Sequence, residues 1–190
     1  MIISVIVLFL MMVFYSCYFT KMISQSRQGI KTDQLGKGKN GYEKYLEITL
    51  KITTYILPVI QILSIVFYKN NLPITLRFVG MVVLFLGVVV FVLSVHQMKD
   101  NWRAGVSKLD KTSLVTSGIY SVSRNPAFLG FDLMYIGILL AFYNFDLLLI
   151  TIICIILFHL QIVKVEEEYL KKTFGDEYRR YCKKVNRYLG

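Results

Sequence analysis

Apolar residues in this chain run in blocks rather than in alternation. The first extends from Met1 to Thr20, the second from about Ile48 to Tyr68 and the third from about Leu76 to Val95. A fourth begins near Ala127 and ends near Tyr143, and a fifth runs from about Leu147 to Val163. Blocks of about 20 residues with few charges have the length that crosses a bilayer as a helix. The pattern predicts an all-α integral membrane fold of about five transmembrane helices. Asn144, Phe145 and Asp146 are a tight tip, so spans four and five form a helical hairpin. Pro58 lies inside span two and is expected to kink it.

The tail has a different period. Beyond span five, Glu166, Glu167 and Glu168 continue the helix out of the apolar layer. Gly175 is a natural stop, and Asp176 a cap for the next helix. There Tyr178, Tyr181, Cys182, Val185, Tyr188 and Leu189 recur at helical spacing among Arg and Lys. This predicts an amphipathic tail helix on the cytoplasmic face, acting as a membrane anchor or as a lid over the spans.

Charge orients the spans. The formal net charge is +10, and 20 of the 22 Lys and Arg residues fall in the loops after spans one and three and in the tail. Only Lys69 and Arg77 fall on the opposite side. The positive-inside rule makes the basic face cytoplasmic, with the N-terminus outside. Interrupted by apolar blocks, the charge fits a bilayer partner and not a nucleic acid. The first block lacks a basic start and a cleavage site, and reads as a retained span. Three scattered cysteines, Cys17, Cys154 and Cys182, give neither a disulfide framework nor zinc spacing. The stretch GKGKNG (Gly36 to Gly41) lacks the Ser/Thr ending of a phosphate loop and reads as a flexible cytoplasmic loop.

Polar groups cluster at that same membrane face. His96, Asp132 and His159 share a depth, and interhelical hydrogen bonding or a wet cavity is preferred for them over a metal site. Gln61 reads as packing glue in mid-span. Trp102 beside Arg103 reads either as interfacial anchoring or as part of a pocket wall. The acidic run 166–168 either pairs with Lys171, Lys172 or Arg124, or holds a cationic or hydroxyl-rich ligand. The stretch GIYSVSRNPAFLGF (Gly118 to Phe131) places Arg, Asn and Pro at the mouth of span four.

That stretch, with LVTS before it and EEEYLKKTFGDEYRRYCKKV about 35 residues after it, resembles the isoprenylcysteine carboxyl methyltransferase family. The family sits in a wider group of small integral-membrane methyltransferases that includes phospholipid N-methyltransferases. Its pattern is Arg-His-Pro-x-Tyr-x-Gly, a helical hairpin, Glu-Glu-x-x-Leu, then Phe-Gly-x-x-Tyr-x-x-Tyr. The likeness covers Asn101 to Leu189, dividing the chain into three N-terminal spans (1–100) and a cofactor-binding region (101–190).

The resemblance implies S-adenosylmethionine as cofactor. It implies contacts from Thr112, Ser113, Leu114, Val115, Tyr120, Asn125, Pro126, Ala127, Phe128 and Glu166, with Gly130 and Glu167 completing the motif. Arg124 and Asn125 are the candidate catalytic residues, and no metal is expected. The residue chemistry agrees. Residues 112–115 offer backbone groups to an adenine edge, and Pro126 leaves backbone groups at the start of span four without helical partners. Tyr120 and Phe128 suit adenine or a sulfonium. Glu166 suits ribose hydroxyls or a positive charge, and Arg124 suits a carboxylate of cofactor or substrate.

The chain departs from the pattern at Asn125, where the family has His, and at Phe128, where it has Tyr. An Arg that some members link to substrate falls on Ile162. The expected activity is methylation of a small lipophilic acceptor, with a prenylcysteine-like carboxylate most like the family. The alternatives are a lipid-amine or thiol methyltransferase, an NADPH-dependent membrane reductase, and a non-catalytic membrane module. The acidic run argues against a nucleotide 2′-phosphate.

Overall fold

A computed structural model describes residues 2–68, 72–106 and 112–189. Among the described residues six helices follow in order: α1 (Ile2–Arg27), α2 (Gly41–Phe67), α3 (Ile74–Met98), α4 (Pro126–Ala141), α5 (Phe145–Gln161) and α6 (Glu167–Lys184). Short 3-10 turns stand at Lys99–Asn101 and Gly118–Ser121, and a π turn, Ile162–Glu166, joins α5 to α6. Among the described residues β structure is limited to one isolated bridge, Asp33 to Ala104. The chain is an all-helical, multi-pass membrane protein. Helices α1, α2, α3 and the one beginning at Phe145 are long and apolar enough to cross a bilayer. Phe9, Val59, Val82 and Ile156 remain more than half exposed, as lipid-facing side chains do.

Helix α4 is the exception in length. Its 16 residues span about 24 Å, less than the roughly 30 Å of a hydrocarbon core. It is also buried deeply, because glycines let its backbone touch that of α3. A Cβ on Gly137 would lie 2.4 Å from Leu84 N, and one on Gly87 2.6 Å from Met134 N. Gly80 and Gly130 complete this seam, which brings backbones together where the hydrophobic effect gives helices no drive to associate. Arg77 donates from Nε to Ala141 O at 3.1 Å, placing a cation at the C-terminus of α4. At the hairpin tip, Asn144 Oδ1 accepts from Leu147 N at 2.9 Å, and its Nδ2 donates to Ser64 Oγ at 2.7 Å.

Several expectations need correction. Helix α1 runs seven residues past Thr20, because Gln25 finds partners when buried: its Nε2 donates to Trp102 O at 3.0 Å and its Oε1 accepts from Thr32 at 2.7 Å. Helix α2 starts at Gly41, seven residues before Ile48, and holds Pro58 within it. The segment holding GKGKNG is anchored rather than loose. Thr32 and Gln34 pair with the backbone of Ala104, and Lys39 is buried against Glu47. Trp102 is a core residue, edge-on to Tyr18 at 5.4 Å, rather than an interfacial anchor. Gly175 does interrupt the tail, at φ +49°. Beyond it Tyr178, Tyr181 and Val185 pack on Leu114, Leu170 and Phe174, so this apolar face covers protein. Leu189 is exposed and takes no part in that packing. Lys69, Lys108 and Lys111 of the charge count lie outside the described residues.

Candidate functional site

The start of α4 organises the site. Asn125 has non-helical backbone angles, φ −131° and ψ 52°, and Pro126 opens the helix behind it. Proline at this position needs no helical hydrogen bond, and the turn before it is left to shape a cleft. The chain arrives from residues 112–116, which lack regular structure. Ser113 is fixed there by a reciprocal pair with Asn101: its N–H donates to Asn101 Oδ1, and Asn101 Nδ2 donates to its Oγ, both at 3.0 Å.

One cleft gathers residues 112–115, Tyr120, Arg124, Asn125, Ala127, Phe128 and Glu166. Its far side is the tail, through Tyr169, Phe174, Tyr178 and Tyr181. Three expected site residues stand elsewhere. Pro126 is buried beneath the cleft at the first turn of α4. Gly130 faces Phe91 of α3, where a Cβ would lie 2.8 Å from the Phe91 Cβ. Glu167 lies outside the cleft and binds Arg124 and Arg187.

A π turn precedes Glu167. The Glu167 N–H reaches back five residues to Ile162 O, inserting an extra residue into the helix where the acidic run begins. Such bulges re-aim side chains and recur at functional sites. Glu166 is turned into the cleft. Burial pushes its carboxyl up to about 7, against the pull of Lys39, with Glu47 adding to the rise. Glu167 instead binds Arg124 Nη2 at 3.1 Å and Arg187 through Nε at 2.8 Å and Nη2 at 3.0 Å. Burial raises its carboxyl, but Arg187 and then Arg124 outweigh this and hold it below the ordinary carboxylate value. Glu168 pairs with Lys171 at 3.1 Å on the surface.

Arg124 and Asn125 both hold the tail. The Arg124 N–H donates to Asn186 O at 3.0 Å, and its guanidinium lies 5.9 Å from the centre of the Tyr178 ring and touches Cys182. Asn125 Nδ2 donates to Arg187 O at 3.1 Å. Tyr181 donates to Tyr120 O, and Tyr188 meets His159 Nδ1 at 2.8 Å. Among the described residues no group of three His, Cys, Asp or Glu side chains is placed to hold a metal.

A second, larger cavity of about 440 Å³ opens between α1, α2, α4 and α5. Tyr15, Tyr18, Phe131, Tyr135 and Phe158 line it, and the Asp33–Lys51 ion pair marks its polar end. Trp102, Arg103, Gly105, Ala127 and Phe128 belong to both cavities. Phe128 stands edge-on to Phe158 at 5.2 Å, as a thin partition between them. Sequence reasoning missed Lys39, Glu47, Gln161 and Arg187. The first three meet only in three dimensions, whereas Arg187 carried a signal as a cation in a tail that follows an acidic run.

These features define a polytopic helical protein with a polar cleft abutting an apolar chamber. A profile of the phospholipid methyltransferase family matches residues 75–177, and the chain belongs to that family. Over 72 residues it is 39% identical to the protein-S-isoprenylcysteine O-methyltransferase of Schizosaccharomyces pombe. It is 42% identical over 72 residues to the protein of that name from Saccharomyces cerevisiae. Each match covers 38% of this chain and 30% of the relative.

Proposed function

We propose that the chain is an S-adenosylmethionine-dependent methyltransferase of the membrane, acting on a small lipophilic acceptor. A prenylcysteine-like carboxylate is the acceptor class its relatives favour. The shared wall carries this reading: a polar cleft meets an apolar chamber across one layer of side chains. The chamber's about 440 Å³ lies within the size range of small-molecule sites.

The donor set of the cleft fits the cofactor. Residues 112–115 line the cleft and offer backbone donors and acceptors to a purine, and Glu166 offers a carboxylate to the ribose diol. Tyr120, Phe128 and Tyr178 provide faces for a sulfonium. Bound there, S-adenosylmethionine supplies an activated methyl group. A carboxylate acceptor is already ionised, so the chain needs no general base. Its task is alignment and exclusion of water. Phe128 and Trp102 seal the junction, Arg103 brings positive charge to it, and Tyr178 and Tyr181 close the cleft from below. Arg124 and Asn125 keep that lid in place, at the edge of the reacting region. Residues 101–190 are thus the cofactor-binding region, while α1 and α2 form the far wall of the chamber.

The distribution of basic residues supports a cytoplasmic cleft and an external N-terminus. An amine or thiol acceptor fits the same chamber. Glu166 in the cleft disfavours a nucleotide 2′-phosphate, and with it the reductase reading. The test is transfer of a labelled methyl group from S-adenosylmethionine, in detergent, into a panel of prenylcysteines, lipid amines and lipophilic thiols. Label in the prenylcysteine ester is expected. Label in the amine or thiol alone reassigns the acceptor, and no label in any product from folded, monodisperse protein defeats the proposal.

A further inference from the structure

Glu166 is supported from behind by three buried polar side chains that the proposed chemistry does not use. Glu47, near the start of α2, is fully buried. Its Oε1 accepts from Gln161 Nε2 at 2.8 Å and pairs with Lys39, and its Oε2 accepts the Gly36 N–H at 2.6 Å. The Lys39 and Glu47 side chains are 1% and 0% exposed. An ion pair this dry is weak evidence for stability, since an apolar replacement of similar volume often does as well. Its location is more informative. Gln161 is the last residue of α5 and precedes the π turn that aims Glu166, and its amide also contacts the Glu166 carboxylate.

We propose that Lys39 and Glu47 are positioning residues for Glu166: acting through Gln161 and the π turn, they fix the orientation of the cleft carboxylate and the electric field around it. The segment between α1 and α2, remote in sequence from the cleft, thereby becomes part of the site. The charged and titratable groups around Glu166 are known on every side. Lys39 and Glu47 face it from the α2 side, and Tyr120 from the 3-10 turn. Arg103 and Arg124 line the same cleft, and α6 contributes Tyr169, Tyr178 and Tyr181.

The two partners act with opposite sign. Glu47 works with burial to favour the protonated carboxyl, whereas Lys39 favours the carboxylate. Removing each charge separately therefore moves the Glu166 titration in opposite directions. A purely structural pair would loosen the site in the same way from either side.

The experiment uses the full chain in detergent. The protonated-carboxyl infrared band of Glu166, assigned by difference against Glu166→Gln, is titrated in wild type, Glu47→Gln and Lys39→Met. S-adenosylmethionine affinity is measured by calorimetry across the same pH range. Glu47→Gln should lower the titration midpoint by about one pH unit and Lys39→Met should raise it by about one. Affinity at pH 7 should fall several-fold in Lys39→Met and hold in Glu47→Gln. Midpoints that stay put, or move together, overturn the proposal.

Gln161→Leu keeps the ion pair and removes the link, so it remains informative if the charge variants fail to fold. It should raise the midpoint, and an unchanged midpoint overturns the proposal. The affinity arm rests on the cofactor reading of the cleft, but the infrared arm does not. A wild type that binds no S-adenosylmethionine defeats that reading alone, and the infrared midpoints still decide the positioning claim.

Discussion

Gly137→Ala adds a single methyl group to a site with no space for one. The new Cβ would lie 2.4 Å from Leu84 N, 2.7 Å from Gly80 O and 2.7 Å from Leu84 Cα. All three are backbone atoms, so no rotamer change relieves the clash. Ordinary contacts of this kind begin at 3.4 Å, so α3 and α4 must separate locally by about 1 Å. Overpacking of this sort costs about 1–3 kcal/mol, which corresponds to a fall in melting temperature of roughly 2–12 °C. The assay has a built-in probe: Trp102, the single tryptophan of the chain, is buried 6.3 Å from Phe91 on α3. Thermal unfolding in detergent, followed by its fluorescence, should show the loss. Leu86→Ala, on the lipid-facing side of α3, is the control and should change little. A Gly137→Ala protein melting within about 1 °C of wild type would refute the backbone-contact account of the seam.

Glu167→Gln should loosen the tail by about 2 kcal/mol, because it weakens charged hydrogen bonds to Arg124 and Arg187. Amide exchange in residues 178–189 should then speed up about 30-fold. The same clamp has a pH dependence of definite sign. The folded Glu167 carboxyl lies below its ordinary value of 4.5, so the clamp is fully present above that value and is lost as pH falls through the lower folded one. Tail exchange measured on acidification should rise there and nowhere between pH 6 and 8 for this reason. Phe128→Ala should open the partition and lower kcat for methyl transfer by about tenfold, with a smaller change in S-adenosylmethionine affinity by calorimetry. Arg77→Gln should destabilise the hairpin end by about 1 kcal/mol, read as a lower melting temperature with cofactor affinity unchanged.

Much of this architecture was legible in one dimension because membrane helices declare themselves by length and apolarity. The hairpin tip, the stop at Gly175 and the apolar tail face all follow from local residue chemistry, and ten of the expected site residues line one cleft. Gly130 and Glu167 belong to the same sequence motif but serve other contacts. One admits the α3 backbone, and the other is held by Arg124 and Arg187, the second of which lies 20 residues further on in the tail. Lys39 and Glu47 were unreadable for a different reason. Two opposite charges eight residues apart look like solvated surface until α5 is packed over them. The extra turns of α1 and α2 are polar segments made helical by tertiary partners such as Trp102 O for Gln25, which hydropathy does not register.

The central claim is that the cleft between residues 112–128 and the tail holds S-adenosylmethionine. Its most direct test is photochemical crosslinking of labelled S-adenosylmethionine to the full chain in detergent, followed by peptide mapping. The account predicts label in peptides covering residues 112–128 and 166–181, competed by S-adenosylhomocysteine. Label confined to α1–α3, or none on folded protein, would contradict it.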